Sequence, residues 1–520
     1  MRGVRLSITL VLSLSFFFAL GQQKEEKAKK NRAEIELIHA DRFTVDKTTP
    51  KGATKLKGDV QLRHQDAMMY CDSAFLYEKD NNLDAFGHVR IVEGDSLNLS
   101  GDSLFYDGNT RIARIRGKVR IDNGASVLTT HFLDYYRDTE MGHYYGGGEI
   151  DSKKEKIHLT SDVGYYYSRS KVFHYKRNVV MTHPDYIIVT DTMQYAPNLE
   201  KTWFFGPTTI TSEDRKIYCE FGWFDQLADE AVFIDNARIE TESQIMMGDT
   251  IEYDQAKKIG ILKCNVVMID TNEKFEVIGE YARYEEKDST SFVTINMMLK
   301  QDMDGDTFFL TADTLFTYPD TSGKRILKTY HTTVFYKSDM QGACDSLMYY
   351  TKDSVIYMFK DPILWSDENQ LTADSIHMTM KNGVLDKMFM NENAFIISKE
   401  DEVLFNQITG RRMVGYFKDQ ELFKVDVFGN GQTVYFPLEE DSTLIGVNET
   451  ECMNMTIRID SNRIEKITFF EKPVAKLTPS DEMPAGGVKL EGFIYRIGER
   501  PTSPADLRTK RLLAREKMEK

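Results

Sequence analysis

Hydrophobic and polar positions alternate along this chain in short runs and do not cycle with a helical period. In residues 101–106, Gly-Asp-Ser-Leu-Phe-Tyr, an acid is followed two positions later by an aliphatic and four positions later by an aromatic. Side chains two and four apart share one face of a strand, so Asp102, Leu104 and Tyr106 are expected to point the same way. The pattern returns at Asp191/Met193/Tyr195, Asp249/Ile251/Tyr253, Glu280/Ala282/Tyr284 and Asp345/Leu347/Tyr349. Weaker copies are His131/Leu133/Tyr135, Asp162/Gly164/Tyr166 and Glu220/Gly222/Phe224, and Asp41, Asp72, Asp313, Asp374, Arg412 and Glu451 fill the remaining registers. The marks lie 29 to 33 residues apart as far as Asp374, then 38 and 39 apart. A fixed period in this range is the signature of a repeat architecture. The expected fold is all-β, an elongated β-jellyroll or β-solenoid-like array of repeats.

Each repeat reads in three parts. In the second copy, 71–77 is a strand, 78–82 a polar turn, and 83–92 a second strand carrying Gly87-His88-Val89. The next repeat has a turn at Asp107-Gly108-Asn109 and then Gly117-Lys118-Val119, and Lys381-Asn382-Gly383 is a later turn of the same kind. The strand segments are rich in Val, Ile, Phe, Tyr and Thr, which suit a pleated, half-buried surface. The acid is read as a turn-forming group at the start of each strand, its carboxylate capping nearby backbone N–H groups. Stacked with one rung per repeat, Leu104, Leu133, Met193, Ile251, Leu315, Leu347 and Ile376 form one apolar row, and tyrosines including Tyr106, Tyr195 and Tyr253 form a second. By themselves, these rows describe a hydrophobic core.

The ends of the chain differ from the repeats. Residues 1–21 have a basic start at Arg2 and Arg5, an apolar run over 6–20 and a small-residue cleavage site, the features of a signal peptide. A polar linker spans 22–34, and β-repeats fill 35–400. Residues 401–500, with an insertion around 436–448, are expected to be modified repeats or a cap, as the terminal units of repeat arrays often are. The charged tail 501–520 is expected to form a short helix or stay disordered. The expected destination is the periplasm, with association to the outer membrane as a further expectation.

Composition narrows the function classes. A formal charge of −15 argues against nucleic acid or an anionic membrane surface as a non-specific partner. Five cysteines, an odd number, exclude a complete intramolecular disulfide framework. Cys71, Cys219 and Cys344 each precede a repeat mark, so they read as a small buried residue at one structural position.

The strands with Asp-Ser/Thr-aliphatic-x-Tyr, a polar turn and Gly-x-Val resemble the OstA-like family of bacterial lipopolysaccharide-transport proteins. Residues 84–89, Asp-Ala-Phe-Gly-His-Val, and 113–119 carry the resemblance most plainly. It extends over nearly the whole chain after the signal segment. The chain has more repeats than a single periplasmic bridge domain and lacks the porin region of the outer-membrane translocon. The resemblance implies a V-shaped β-jellyroll trough that shields the acyl chains of lipopolysaccharide or a related lipid. It also implies partners among transport proteins at the inner and outer membranes, and end-to-end self-association. The ten residues named in the two rows are then the lipid-groove candidates.

A rival reading from another class is a structural or carbohydrate-binding β-solenoid at the cell surface. Catalysis finds no motif: the chain has no phosphate loop, no metal-binding His-x-x-x-His and no nucleophile elbow. No catalytic residue, metal or cofactor is therefore assigned. Asp302, Asp304 and Asp306 approach a calcium-loop pattern, but Thr307 stands where that loop requires glycine.

Overall fold

The computed structural model describes residues 33–518, except 48, 51, 94–96, 123–125, 153–155, 168, 304, 367–368, 382–383, 419–420, 440–442, 461–462 and 485. The expected signal peptide and most of the linker lie outside the described residues, as do turn residues Asn382 and Gly383. The chain divides into two compact units, one up to Ile115 and the other from Arg116.

Each repeat supplies two strands, not one rung, and the strand pairings of the described residues are antiparallel. In the first unit Thr54–His64, Ala67–Tyr77, Asn82–Glu93 and Leu97–Asp107 pair in succession. The short strands Glu36–His39 and Arg42–Thr44 each cover one half of Thr54–His64. In the second unit the same meander runs from Ser126–Tyr136 through Phe275–Glu285, each strand 11 or 12 residues long.

The repeated acid is not at a strand start. Asp72, Asp102, Asp162, Asp191 and Asp249 each occupy the sixth place of an 11-residue strand. There the partner strand carries an extra residue. Phe86 pairs with Ser103 and Val89 with Gly101, so Gly87 and His88 together face Asp102. This is a β-bulge, and it bends the strand. The bulge residues have left-handed backbones, as in Gly87 (φ 77°) and His88 (42°), Arg177 (63°) and Asn178 (52°), and Cys264 (59°) and Asn265 (50°). Asparagine tolerates that conformation better than most residues, and its amide can reach the acid of the preceding strand. Asn178 donates to Asp162 at 2.9 Å, Asn236 to Glu220 at 2.9 Å, and Asn265 to both oxygens of Asp249 at 3.1 and 2.9 Å.

The bend also breaks alternation. Leu99, Gly101, Leu104 and Tyr106 are buried, whereas Asp102 is exposed. The expected shared face of Asp102, Leu104 and Tyr106 is therefore corrected: the bulge shifts the inward phase by one residue at the corner. Gly87→Val should cost about 3 kcal/mol, because its Cβ would lie 2.3 Å from Asp72 Oδ2 on a backbone unfavourable to a β-branched residue. The unfolding midpoint measures this, and an unchanged midpoint would refute the corner geometry.

Each bent strand contributes a lower limb before the acid and an upper limb after it. Between 290 and 381 the corner divides each long strand into two short ones, so that the limbs form separate ladders of one continuous sheet. Thr290–Thr294, Thr314–Pro319, Arg325–Tyr330, Ser346–Tyr350, Val355–Phe359 and Ser375–Lys381 pair on the upper side. Met298–Met303, Asp306–Thr311, Thr333–Tyr336, Gln341–Cys344, Ile363–Ser366 and Asn369–Thr372 pair on the lower side. Side chains of both limbs form one buried cluster, in which Leu299 and Leu310 join Leu315 and Leu347. At the corner the residue before the acid is small, since the limbs converge there. Cys71, Cys219 and Cys344 hold this position and are buried, as expected.

Beyond the strands Phe405–Lys418, Glu421–Tyr435 and Gly446–Asp460, the chain turns back on itself. Residues 487–500 run over the outer face of the lower limb, where a register row joins Gln407, Ile397, Gln370, Trp365 and Gln341. Gln407 donates to Val488 O at 2.8 Å and accepts from Leu490 N at 2.8 Å. Gln370 likewise grips Ile494 O and Arg496 N, and Arg500 donates to Gln341 Oε1 at 2.7 Å. The tail expected to be either helical or disordered ends in a helix, Leu507–Met518, held through the ion pair of Arg511 with the repeat acid Asp313.

Candidate functional site

The inward faces of the limbs carry continuous cross-strand rows. On the upper limb of the second unit the register runs Leu133, Tyr144, Gly164, Tyr175, Met193, Phe204, Gly222, Phe233, Ile251, Leu262. It continues through Ala282, Val293, Leu315, Thr329, Leu347, Met358 and Ile376. Six of the seven residues of the expected aliphatic row thus lie in one register line, interleaved with residues of the alternate strands. All six are buried, Ile251 fully. Leu104 occupies the corresponding row of the first unit with Leu56, Ala74 and Ala85.

The tyrosine row is also present. Tyr135, Gly142, Tyr166, Phe173, Tyr195, Thr202, Phe224, Ala231, Tyr253, Gly260 and Tyr284 follow one another across the strands. Large rings beside small residues allow the row to interdigitate. A Cβ on Gly260 would lie only 1.8 Å from the Tyr284 ring. Tyr195 and Tyr253 are half-buried, so this row lies nearer solvent than the aliphatic one. Tyr106, in the first unit, is buried with its hydroxyl 2.6 Å from His64 Nδ1.

A third row escaped the sequence reading. Leu128, Ile150, Leu159, Met181, Ile188, Ile210, Ile217, Ile239, Met246, Met268, Val277, Leu299 and Leu310 line the lower limb. Its signal was present: an apolar residue stands three positions before nearly every repeat acid, as in Met69, Leu99, Leu159 and Met246. An odd offset looks out of phase to a period-two reading, and only the bulge brings both sides of the acid inward.

Where the limb ends face one another the lining turns polar. Arg215, at the start of the lower-limb half of Arg215–Asp225, donates to Glu286 Oε1 at 3.0 Å, just beyond the upper limb of Phe275–Glu285. Arg325, starting an upper-limb strand, lies 3.7 Å from the buried Asp270, which ends a lower-limb strand. These two ion pairs join limb to limb across the mouth. Hydrogen bonds from the Arg215 guanidinium and the Ser212 hydroxyl hold the Asp214 carboxyl down at about 2. In the opposite sense, burial pushes the Cys71 thiol up to about 11 and the Cys219 thiol to about 12, so neither supplies a nucleophilic thiolate near neutral pH.

On the outer lower limb the pairing of His158 with Asp151 assembles a trio with Glu149 whose ligand atoms lie within 4.8 Å of one another. These exposed groups already pair among themselves, His158 Nδ1 lying 2.8 Å from Asp151. Among the described residues, no helix is long and apolar enough to cross a membrane.

Residues 32–191 and 155–249 match the family described as OstA-like protein. No curated protein matches the chain. Among solved structures, LptH of Pseudomonas aeruginosa, described as the LptA-homologous periplasmic component of a lipopolysaccharide transport device, is 20% identical. That match covers 22% of this chain and 86% of LptH, with a TM-score of 0.20. The extracellular domain of a one-component system of B. thetaiotaomicron is 8% identical over 82% of this chain and 98% of that domain, with a TM-score of 0.09. Superpositions of that quality add nothing to the fold, which rests on the strand ladder itself. The acid-marked hairpins of residues 32–249 belong to the OstA-like family.

Proposed function

We propose that this protein is a periplasmic carrier or bridge that shields the acyl chains of lipopolysaccharide, or a related lipid, on the way to the outer membrane. The observation that carries the proposal is the set of predominantly apolar rows lining facing limbs, within a family tied to that transport. Each methylene kept from water is worth about 0.8 kcal/mol, so a lipid with several chains faces tens of kcal/mol in the aqueous periplasm. Rows that run across many strands offer an apolar environment at every step, and no chemistry is needed. The deep rows are closed to water here, so a chain is admitted by parting the limbs at their mouth. In this reading Leu133, Met193, Ile251, Leu315, Leu347 and Ile376 form the floor of the second unit, with Tyr195 and Tyr253 as its sides, while Leu104 and Tyr106 hold the same places within the first unit. The partners are other lipopolysaccharide-transport proteins at the two membranes, and copies of the chain associate end to end.

Tyr195 and Tyr253 are suited to a test because a photo-reactive phenylalanine of similar bulk replaces each. Ultraviolet crosslinking in cells should give lipopolysaccharide adducts at both, and none at the outward-facing Phe205. Equal adducts at all three, or none with normal export, would end the transport reading.

One observation favours the rival carbohydrate-binding reading. Tyr357, His377 and Phe389 stack on the outer face, with ring centroids 5.4 and 4.4 Å apart. Binding of a lipid-free polysaccharide, lost in Tyr357→Ala, together with no adduct at Tyr195, would favour it.

A further inference from the structure

The interior beneath the mouth contains a polar group with no use in packing. Tyr284 is 6% exposed, and its hydroxyl has no hydrogen-bond partner. A buried, unsatisfied hydroxyl is costly, and phenylalanine would fill the same space without that cost. The ring lies over Gly260 and stacks beside Tyr253, with centroids 6.4 Å apart and planes 18° from parallel. Tyr253 is half-buried, and its phenol lies within electrostatic reach of Arg215 and Glu286. The Arg215 guanidinium stands 5.8 Å from the Tyr253 ring centroid and donates to Glu286. A run of polar groups therefore leads from Glu286 through Arg215 to Tyr253, whose ring stacks beside that of Tyr284. Beyond it the lining is apolar, with Ile251 and Leu262 fully buried.

We propose that Tyr284, with Tyr253, Arg215 and Glu286, forms a polar collar that receives the ester or amide carbonyl linking an acyl chain to its headgroup. The inference rests on the acyl-shielding reading and adds where the chain's polar end is held. The Tyr284 hydroxyl supplies the donor, a carbonyl oxygen accepts, and the hydrocarbon continues into the rows. Burial raises the Tyr284 phenol well above its ordinary range, so it keeps the proton it donates. Arg215 already faces two carboxylates, Glu286 and Asp214, which suits a neutral carbonyl better than a phosphate.

The experiment compares pyrenedodecanoate methyl ester with pyrenedodecane, which has the same hydrocarbon but no carbonyl, by fluorescence titration of the purified protein and of Tyr284→Phe. The native protein should bind the ester about tenfold more tightly, the size of one buried hydrogen bond. Tyr284→Phe should bind both equally, at the strength with which the native protein binds the hydrocarbon. Its unfolding midpoint should be unchanged or higher, because the variant loses no internal hydrogen bond. Equal binding of both probes by the native protein overturns the collar and leaves the shielding reading standing. A preference that survives Tyr284→Phe overturns the role of Tyr284. Binding of neither probe overturns collar and shielding together.

Discussion

Ile251→Asp is expected to unfold the middle of the second unit, costing about 3–5 kcal/mol. Ile251 is fully buried, and its cross-strand neighbours Phe233 and Leu262 are also buried and apolar, so a carboxylate there has no partner. Ile251→Met, which nearly conserves volume, should cost less than about 1.5 kcal/mol. Urea denaturation gives the difference, and hydrogen exchange should show protection lost over residues 231–284. The result bears on function as well as stability. If Ile251→Asp unfolds at the native midpoint, the row is wetted at rest and the lipid enters an open trough; if the midpoint falls, the limbs must part to admit a chain.

Gln370→Leu is expected to release the C-terminal segment. Gln370 is 1% exposed and makes a two-point bond to the backbone, Nε2 donating to Ile494 O at 2.8 Å while Oε1 accepts from Arg496 N at 2.6 Å. Leucine keeps the bulk and leaves both backbone groups unpaired, at about 1–3 kcal/mol each. Segments held by few bonds open locally before the whole fold does. Trypsin should therefore cut after Arg496 at least tenfold faster in the variant, with the strand region resistant in both. An unchanged cleavage rate would mean that Arg496–Asp361, at 2.8 Å, and Arg511–Asp313 hold the segment without Gln370.

The two predictions separate what kinds of information were legible in the chain. Leu133, Met193, Ile251, Leu315, Leu347 and Ile376 could be placed in one row from spacing alone, because strands of equal length joined by short turns return to the same register. The small residue before each acid could be recognised as buried for the same reason, and Cys219 and Cys344 are so. Residues such as Gln341, Gln370 and Gln407 carried no such message. They are scattered in the sequence, and their alignment depends on the limbs having divided into separate ladders and on a tail returning from more than 80 residues away.

The lower-limb row marks the limit more sharply. Met246 lies three positions before Asp249 and Ile251 two after it, an arrangement that period-two reasoning assigns to opposite faces. Cys264 and Asn265, with left-handed backbones, insert the extra residue that turns both inward. Asparagine at the bulge and the acid 16 residues before it were visible in the sequence, but their hydrogen bond was not. The mouth is hidden in a similar way: Arg215 and Glu286 are 71 residues apart and belong to different repeats.

By itself, then, the sequence determined the period, the strand-rich class and the upper-limb rows, because all of these follow from local alternation repeated at fixed spacing, while the kinship of the N-terminal repeats came from the resemblance of their short motifs. Only the tertiary structure decided that each repeat is a bent antiparallel hairpin, that its acid supports the bend, and that the limbs meet at a polar mouth with Tyr284 beneath it. Those features depend on backbone handedness at two residues per hairpin and on contacts between distant repeats, and neither is encoded in the alternation of apolar and polar residues.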